Sequence, residues 1–202
     1  MKFDGNFRRY GQLDESALRL CVEQQSEDAW RADQFRQEKF AVHKDTETLY
    51  LIYDQDFRHA NPTKLALFDK FSAALQPFFD KISEPLGSNG WVARCIIARL
   101  CGGGRVNLHQ DHGFSLERAR RFHIPIMTNR DVHFIVGEET VHMKPGEIWE
   151  INNARRHGVV NFGVTPRMHL ILDWAQPVTR DDLQGYLEDQ IRQRSGRDVL
   201  QG

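Results

Sequence analysis

The 202-residue chain is 40% hydrophobic and 27% charged, with a formal net charge of −1. That balance suits a globular domain with one sizeable core, and it carries no broad positive field for nucleic acid or an anionic membrane, so neither is expected as a partner. No apolar run approaches the roughly 18 residues of a membrane span, and the opening MKFDGNFRRYGQ lacks the apolar stretch of a secretion signal. Cys21, Cys95 and Cys101 form no metal-binding spacing, so reduced thiols and a cytoplasmic setting are expected.

In chain order, the pattern predicts one domain over 1–202: a helical first part over about 1–88, a β-rich core over about 90–175 and a last helix over about 179–194. The first helix is expected to begin near Asp14, with Leu18, Cys21 and Val22 on one face. Short strands are expected at 39–43 and 48–53. A longer helix follows, in which Pro62 suits the first turn and Leu65, Phe68, Leu75, Phe78, Phe79 and Ile82 recur at helical spacing. Pro77 is expected to kink or divide it. From Trp91 the period changes to two. Strands are expected at 91–100, 121–127, 132–136, 140–143, 147–151, 157–162 and 167–174, several separated by turns such as Lys144-Pro145-Gly146. Many short strands with tight turns predict a mainly β antiparallel sandwich or barrel with flanking helices. Thr179 can cap a final helix carrying Leu183, Tyr186, Leu187 and Ile191.

Residues i and i+2 of an extended segment project to the same side, so His109-Gln110-Asp111 offers an imidazole and a carboxylate together. His157 opens a later strand and supplies a third donor. Two histidines and one carboxylate on one face leave the remaining metal positions open, the arrangement of non-haem iron(II) oxygenases. Arg167 opens the next strand across a predicted hairpin. A dicarboxylate chelating the metal leaves its far carboxylate several ångströms away, and a guanidinium fork binds that group in a planar, bidentate way. Singly, each piece has a plainer reading. With nine histidines in the chain, an HxD pair is common and by itself structural. His157 by itself is a surface or hydrogen-bonded histidine, and Arg167 a solvated strand end. Order, spacing and strand context together point to a metal site.

The segments LHQDHG (108–113), RFHIPI (121–126) and HGVVNFGVTPRMHLILD (157–173) resemble the aspartyl/asparaginyl β-hydroxylase-like branch of the 2-oxoglutarate/iron(II) dioxygenases. The likeness runs from about Cys95 to Trp174 and extends more faintly to HKDTET (43–48). It implies a double-stranded β-helix of jelly-roll or cupin-like form, with iron(II) at its mouth held by His109, Asp111 and His157. It also implies 2-oxoglutarate and O2 as co-substrates, with 2-oxoglutarate decarboxylated to succinate and its far carboxylate on Arg167. Animal aspartyl hydroxylases lack the carboxylate ligand, so Asp111 favours members with a full triad, some of which resemble amino-acid hydroxylases. The family's Pro-Gly before the HxD is Gly102-Gly103-Gly104 here, read as an entry turn.

The resemblance sets Arg121 and His123 near the co-substrate's metal-proximal carboxylate; alternatively Arg121 belongs to a solvated basic run with Arg118 and Arg120. His169 either supports the co-substrate carboxylate or is a satisfied core histidine. Asn161 holds a loop or the co-substrate. His112 should face away from His109, and His133 and His142 read as structural. The expected activity is hydroxylation of an amino acid or an Asp/Asn-type peptidyl side chain, with a small molecule favoured and a peptide possible. Two other classes stay open: a cupin-like zinc or iron protein that does not use 2-oxoglutarate, and a non-catalytic sensor domain.

Overall fold

The period-two pattern of the middle of the chain resolves into two antiparallel sheets in the computed structural model, which describes residues 3–54, 62–87, 89–177, 179–181, 184–185, 187–188 and 191. The strands are β1 (Phe7–Gln12), β2 (Thr46–Ile52), β3 (Trp91–Leu100), β4 (Arg105–His109), β5 (Arg120–Met127), β6 (Val132–Val136), β7 (Glu139–Val141), β8 (Glu147–Ile151), β9 (His157–Asn161) and β10 (Arg167–Ala175). The larger sheet has the order β1-β8-β5-β10-β3-β2 and the smaller β4-β9-β6-β7. First pairs with last throughout: β3 with β10, β4 with β9, β5 with β8, β6 with β7. The chain from β3 to β10 is therefore one long hairpin rolled on itself, the expected double-stranded β-helix.

Alternation along the large sheet decides what each face buries. Phe122, Ile124 and Ile126 of β5 and Met168, Leu170, Leu172 and Trp174 of β10 face the helical layer. There α4 (Phe68–Leu86) lays Phe71, Leu75, Phe78 and Ile82 against them at i, i+4, i+7 and i+11. The other set of the same strands, Arg121 and His123, then Arg167, His169, Ile171 and Asp173, is also buried, but between the sheets. The smaller sheet closes over part of this space with Val106, Val132, Phe134 and Val159.

The first part of the chain is less helical than its composition suggests. β1 and β2 add to either edge of the large sheet. Asp14 accepts hydrogen bonds from the amide and hydroxyl of Ser16 ahead of α1 (Ser16–Glu23). Two short helices, α2 (Glu27–Arg31) and α3 (Phe35–Lys39), follow. The strand expected at 39–43 is instead the end of α3 and a 3-10 turn, Ala41–His43. Tertiary contacts override its local propensity: Phe35 packs against the Tyr50–Tyr53 cluster, and Arg36 is drawn down onto His43 and Thr48. Pro62 precedes the long helix rather than opening it, because Lys64 bridges to Ile52 and Leu65 donates its amide to the Leu51 carbonyl. Pro77 does not divide α4, whose buried Leu75 and Phe78 hold the helix on either side of it. The final helix falls largely outside the described residues; those described between 180 and 191 are helical. Among the described residues no helix is long and apolar enough to cross a membrane.

The pairing of β4 with β9 contains one irregularity. Val106 pairs with Val159, but His109, not Leu108, pairs with His157. One extra residue in β4 makes a bulge, and a bulge changes which face the next side chain meets. It turns His109 inward beside His157 and leaves Leu108 44% exposed. Gly158 lies against the bulge: a Cβ there would stand 2.6 Å from the Val106 carbonyl oxygen and 3.2 Å from the Leu108 nitrogen. Gly158→Ala is expected to push β4 off β9, costing about 1–3 kcal/mol in urea denaturation and weakening any ion held jointly by His109 and His157, measured by metal titration. Unchanged metal affinity would disprove this role for the bulge.

Candidate metal centre

The bulge at the end of β4 and the first residue of β9 set two imidazoles side by side, with ring centroids 4.4 Å apart and planes tilted by 51°. The loop after β4 then brings Asp111 back over them, its amide on the Asn153 carbonyl at 3.3 Å. The donor atoms of His109, Asp111 and His157 lie within 4.8 Å of one another. Nε2 of His109 is 3.8 Å from Oδ1 of Asp111, and Nε2 of His157 is 3.8 Å from Oδ2.

Hydrogen bonds on the far side of each ring fix which nitrogen faces in. His109 Nδ1 donates to the Asn107 carbonyl at 2.8 Å, and His157 Nδ1 to the Arg155 carbonyl at 3.0 Å. A carbonyl only accepts, so the neutral rings carry their protons on Nδ1 and turn the Nε2 lone pairs toward Asp111. Outer hydrogen bonds of this kind orient metal-binding histidines. The carboxylate is oriented too: Oδ2 of Asp111 accepts from Asn153 Nδ2 at 2.9 Å and from Arg121 Nη1. Two lone-pair nitrogens and a carboxylate, pre-aimed and separated by little more than an ion's width, fit a divalent first-row metal.

Arg121 is neither solvated nor free to swing. Its Nε and Nη2 donate to Asp173 at 2.8 and 3.1 Å while Nη1 reaches Asp111. Asp173 is fully buried and also holds Arg94. The motifs in the sequence assign no role to Asp173, Arg94 or Asn153. The signal there is a charged residue inside a mostly apolar strand, as Arg94 is in β3 and Asp173 in β10.

Behind the three donors lies a small inner space of about 40 Å³, bordered by His123, Phe134, His157 and Arg167 among others, room for about one water. Arg167 is 2% exposed. Its Nη2 donates to His169 Nδ1 at 2.7 Å, and its guanidinium lies over the Phe134 ring. Its Nε and the Nε2 of His169 have no hydrogen-bond partner. Because arginine only donates, His169 must accept on Nδ1 and carry its proton on the orphaned Nε2. Among the described residues no carboxylate pairs with Arg167, and burial pushes its guanidinium down to about 9. Two buried donors lacking an acceptor fit one carboxylate.

The remaining residues are not in this cluster. Asn161 is a loop clamp: its Nδ2 donates to the Cys101 and Thr165 carbonyls and its Oδ1 accepts from Asn129 and Gly163. His112 lines the outer cleft but stands outside the donor group. His142 bonds the Val132 carbonyl, and His133 packs near Phe162. His123 is buried in the inner space with its ring against Phe134.

Two outcomes are expected. Asp173→Asn removes the carboxylate facing two buried guanidiniums, so it should cost about 3–5 kcal/mol of stability; a loss below about 1 kcal/mol by denaturant titration would mean the pair is not a structural tie. Burial, then the charge of Arg167, holds His123 and His169 well below the ordinary value of 6.5. The unfolded chain therefore takes up protons first as pH falls through 6.5, and stability should drop by up to about 1.4 kcal/mol per pH unit per histidine. A urea midpoint flat from pH 7 to 5 would contradict this.

Comparison with known proteins agrees with the geometry. Residues 21–177 match the model of the family described as Aspartyl/Asparaginyl beta-hydroxylase. No curated protein sequence matches the chain significantly. Among solved structures, an oxidoreductase of the 2OG-Fe(II) oxygenase family from Burkholderia pseudomallei superposes with a TM-score of 0.54 at 14% identity, covering 66% of this chain and 69% of its own. The viral collagen prolyl hydroxylase of Paramecium bursaria Chlorella virus-1 gives 0.53 at 9% identity over 87% and 98%. A prolyl-4-hydroxylase from Pseudomonas putida gives 0.50 at 12% identity over 86% and 94%. At these identities the structures speak for the fold. With the family model spanning most of the chain, over a fold that brings two histidines and an aspartate together, the protein belongs to the aspartyl/asparaginyl β-hydroxylase family of 2-oxoglutarate/iron(II)-dependent dioxygenases.

Proposed function

We propose that this chain binds iron(II) through His109, Asp111 and His157 and 2-oxoglutarate through Arg167, and hydroxylates an amino acid or an Asp/Asn-type peptidyl side chain, releasing succinate. The observation that carries the reading is the pairing of an aimed His–Asp–His set with a buried arginine that has no carboxylate of its own among the described residues. Bound iron and 2-oxoglutarate supply the oxidising power, with O2 as oxidant.

The chain's own residues bind and orient. Nδ1 of both histidines, tied to backbone carbonyls, keeps the Nε2 lone pairs on the metal side. Arg121 and Asn153 hold Oδ2 of Asp111, so that Oδ1 is presented beside His109. Arg121 thus acts on a ligand rather than on the co-substrate, while His123 borders the chamber and His169 adds a second donor beside Arg167. The buried walls Phe134 and Ile171 keep water from the far carboxylate, where a fork-shaped ion pair is strongest. The inner space must widen to admit a dicarboxylate. An outer cleft of about 920 Å³ that also borders His109 and Asp111 receives the substrate. A zinc hydrolase of the cupin kind has no use for an uncompensated buried guanidinium at this depth.

Anaerobic iron(II) and 2-oxoglutarate are expected to produce a visible charge-transfer band. Asp111→Ala should weaken it. Arg167→Gln should raise the 2-oxoglutarate concentration needed by at least about 30-fold, the equivalent of about 2 kcal/mol for a buried charge pair. A metal-replete protein without the band, or an Arg167→Gln variant that saturates like wild type, would defeat the proposal.

A further inference from the structure

The walls of the two cavities carry five cationic side chains, Arg36, Lys39, Arg94, Arg121 and Arg167, against one acid, Asp111. Behind the wall, Asp173 answers Arg94 and Arg121, and the latter also holds Asp111. Arg36 is different. It is 8% exposed and borders both the outer cleft and the inner space. Its Nη2 bonds His43 Nε2 at 3.0 Å, and Nη1 reaches the Thr48 hydroxyl at 3.5 Å. Neither is an anion. Arginine only donates, so His43 accepts on Nε2 and is neutral. Among the described residues no carboxylate pairs with Arg36. A desolvated guanidinium without a counter-charge is costly, and a ligand carboxylate is the group its fork matches.

Iron(II) and 2-oxoglutarate do not remove this excess, since the ion brings two positive charges and the diacid two negative ones. An amino acid with one carboxylate and one ammonium cancels itself and leaves the excess too. Given iron(II) on the His–Asp–His set and 2-oxoglutarate on Arg167, on which this step rests, we propose that the substrate is net anionic and that Arg36 seats its carboxylate at the cleft wall. The position suits that role. His43, the partner of Arg36, stacks edge-to-face on His109 with centroids 5.7 Å apart, so a carboxylate on Arg36 is held one imidazole away from a metal ligand. Arg36 would then select acidic over amide or neutral substrates, leaving 2-oxoglutarate to Arg167.

The test uses the full chain loaded anaerobically with iron(II) and saturating 2-oxoglutarate, and calorimetric titration of two matched pairs. Aspartate against asparagine represents a free acid; N-acetyl-aspartate amide against N-acetyl-asparagine amide represents a peptidyl one. In at least one pair the acid should bind tenfold or more tighter than its amide, and the pair that does so identifies the source. Arg36→Gln should erase the difference while the 2-oxoglutarate band saturates as in wild type. Arg36→Lys, which keeps the charge but not the fork, should reduce the difference several-fold, and it serves if the glutamine variant does not fold. The inference is overturned if neither acid outbinds its amide in wild type, if the preference survives in the folded variants, or if Arg36→Gln weakens 2-oxoglutarate rather than the probe. A wild-type protein with no band would instead fail the broader functional reading.

Discussion

Asp173 makes the inner face of the large sheet possible. Strand alternation drives Arg94 of β3 and Arg121 of β5 into the space between the sheets, where water cannot solvate them. A fully buried carboxylate on β10, the strand between them, takes hydrogen bonds from both. Unpaired, either guanidinium would cost more than the packing around it returns. Paired, they form a rigid tie across three strands, and its far end is Nη1 of Arg121 on Asp111. A contact that first solves a burial problem therefore also aims Asp111 at the two histidines.

The smaller sheet contributes by a different device. One bulge in β4, accommodated by the missing side chain of Gly158, rotates His109 from the solvent face to the inner face. Both metal-side histidines then bond backbone carbonyls two residues earlier, so the ring tautomers are set by the local chain itself. Carboxylate orientation comes from the large sheet and imidazole orientation from the small one. The His109–Asp111–His157 cluster sits where the two meet, bordered by both the outer cleft and the Arg167 chamber.

Neutral histidines complete the electrostatic design. Burial holds His43, His123 and His169 below the ordinary imidazole range, so they serve as donors and acceptors without adding charge. Among the described residues the buried cations on the cavity walls are then Arg36, Arg94, Arg121 and Arg167. Arg94 and Arg121 are answered within the protein, while Arg36 and Arg167 face the cavities without a carboxylate among the described residues. Such a division separates internally paired guanidiniums from those that face a cavity by their partners rather than by their type.

The sequence by itself determined where β3 and β5–β10 lie, the amphipathic face of α4, and the residue types of the site, because period-two and helical patterns and an HxD with a distant His and Arg are written in short-range order. It did not determine the pairing: the hairpin expected across Gly163–Pro166 does not form, since β9 pairs with β4 and β6 in the smaller sheet and β10 with β3 and β5 in the larger. Arg121-x-His123 and Arg167-x-His169-x-Ile171-x-Asp173 even display the inner face directly. Tertiary structure alone decided the rest. Whether Arg121 meets solvent, a co-substrate or Asp173 depends on a partner 52 positions away. The bulge that turns His109 inward has no signature beyond a glycine in another strand. Arg36 lies on a short helix with no pattern of its own, and its place at the cleft comes from Phe35 packing on the Tyr50–Tyr53 cluster and from its bonds to His43 and Thr48. Charges find their counter-charges across the fold, and local order in the chain does not encode that distance.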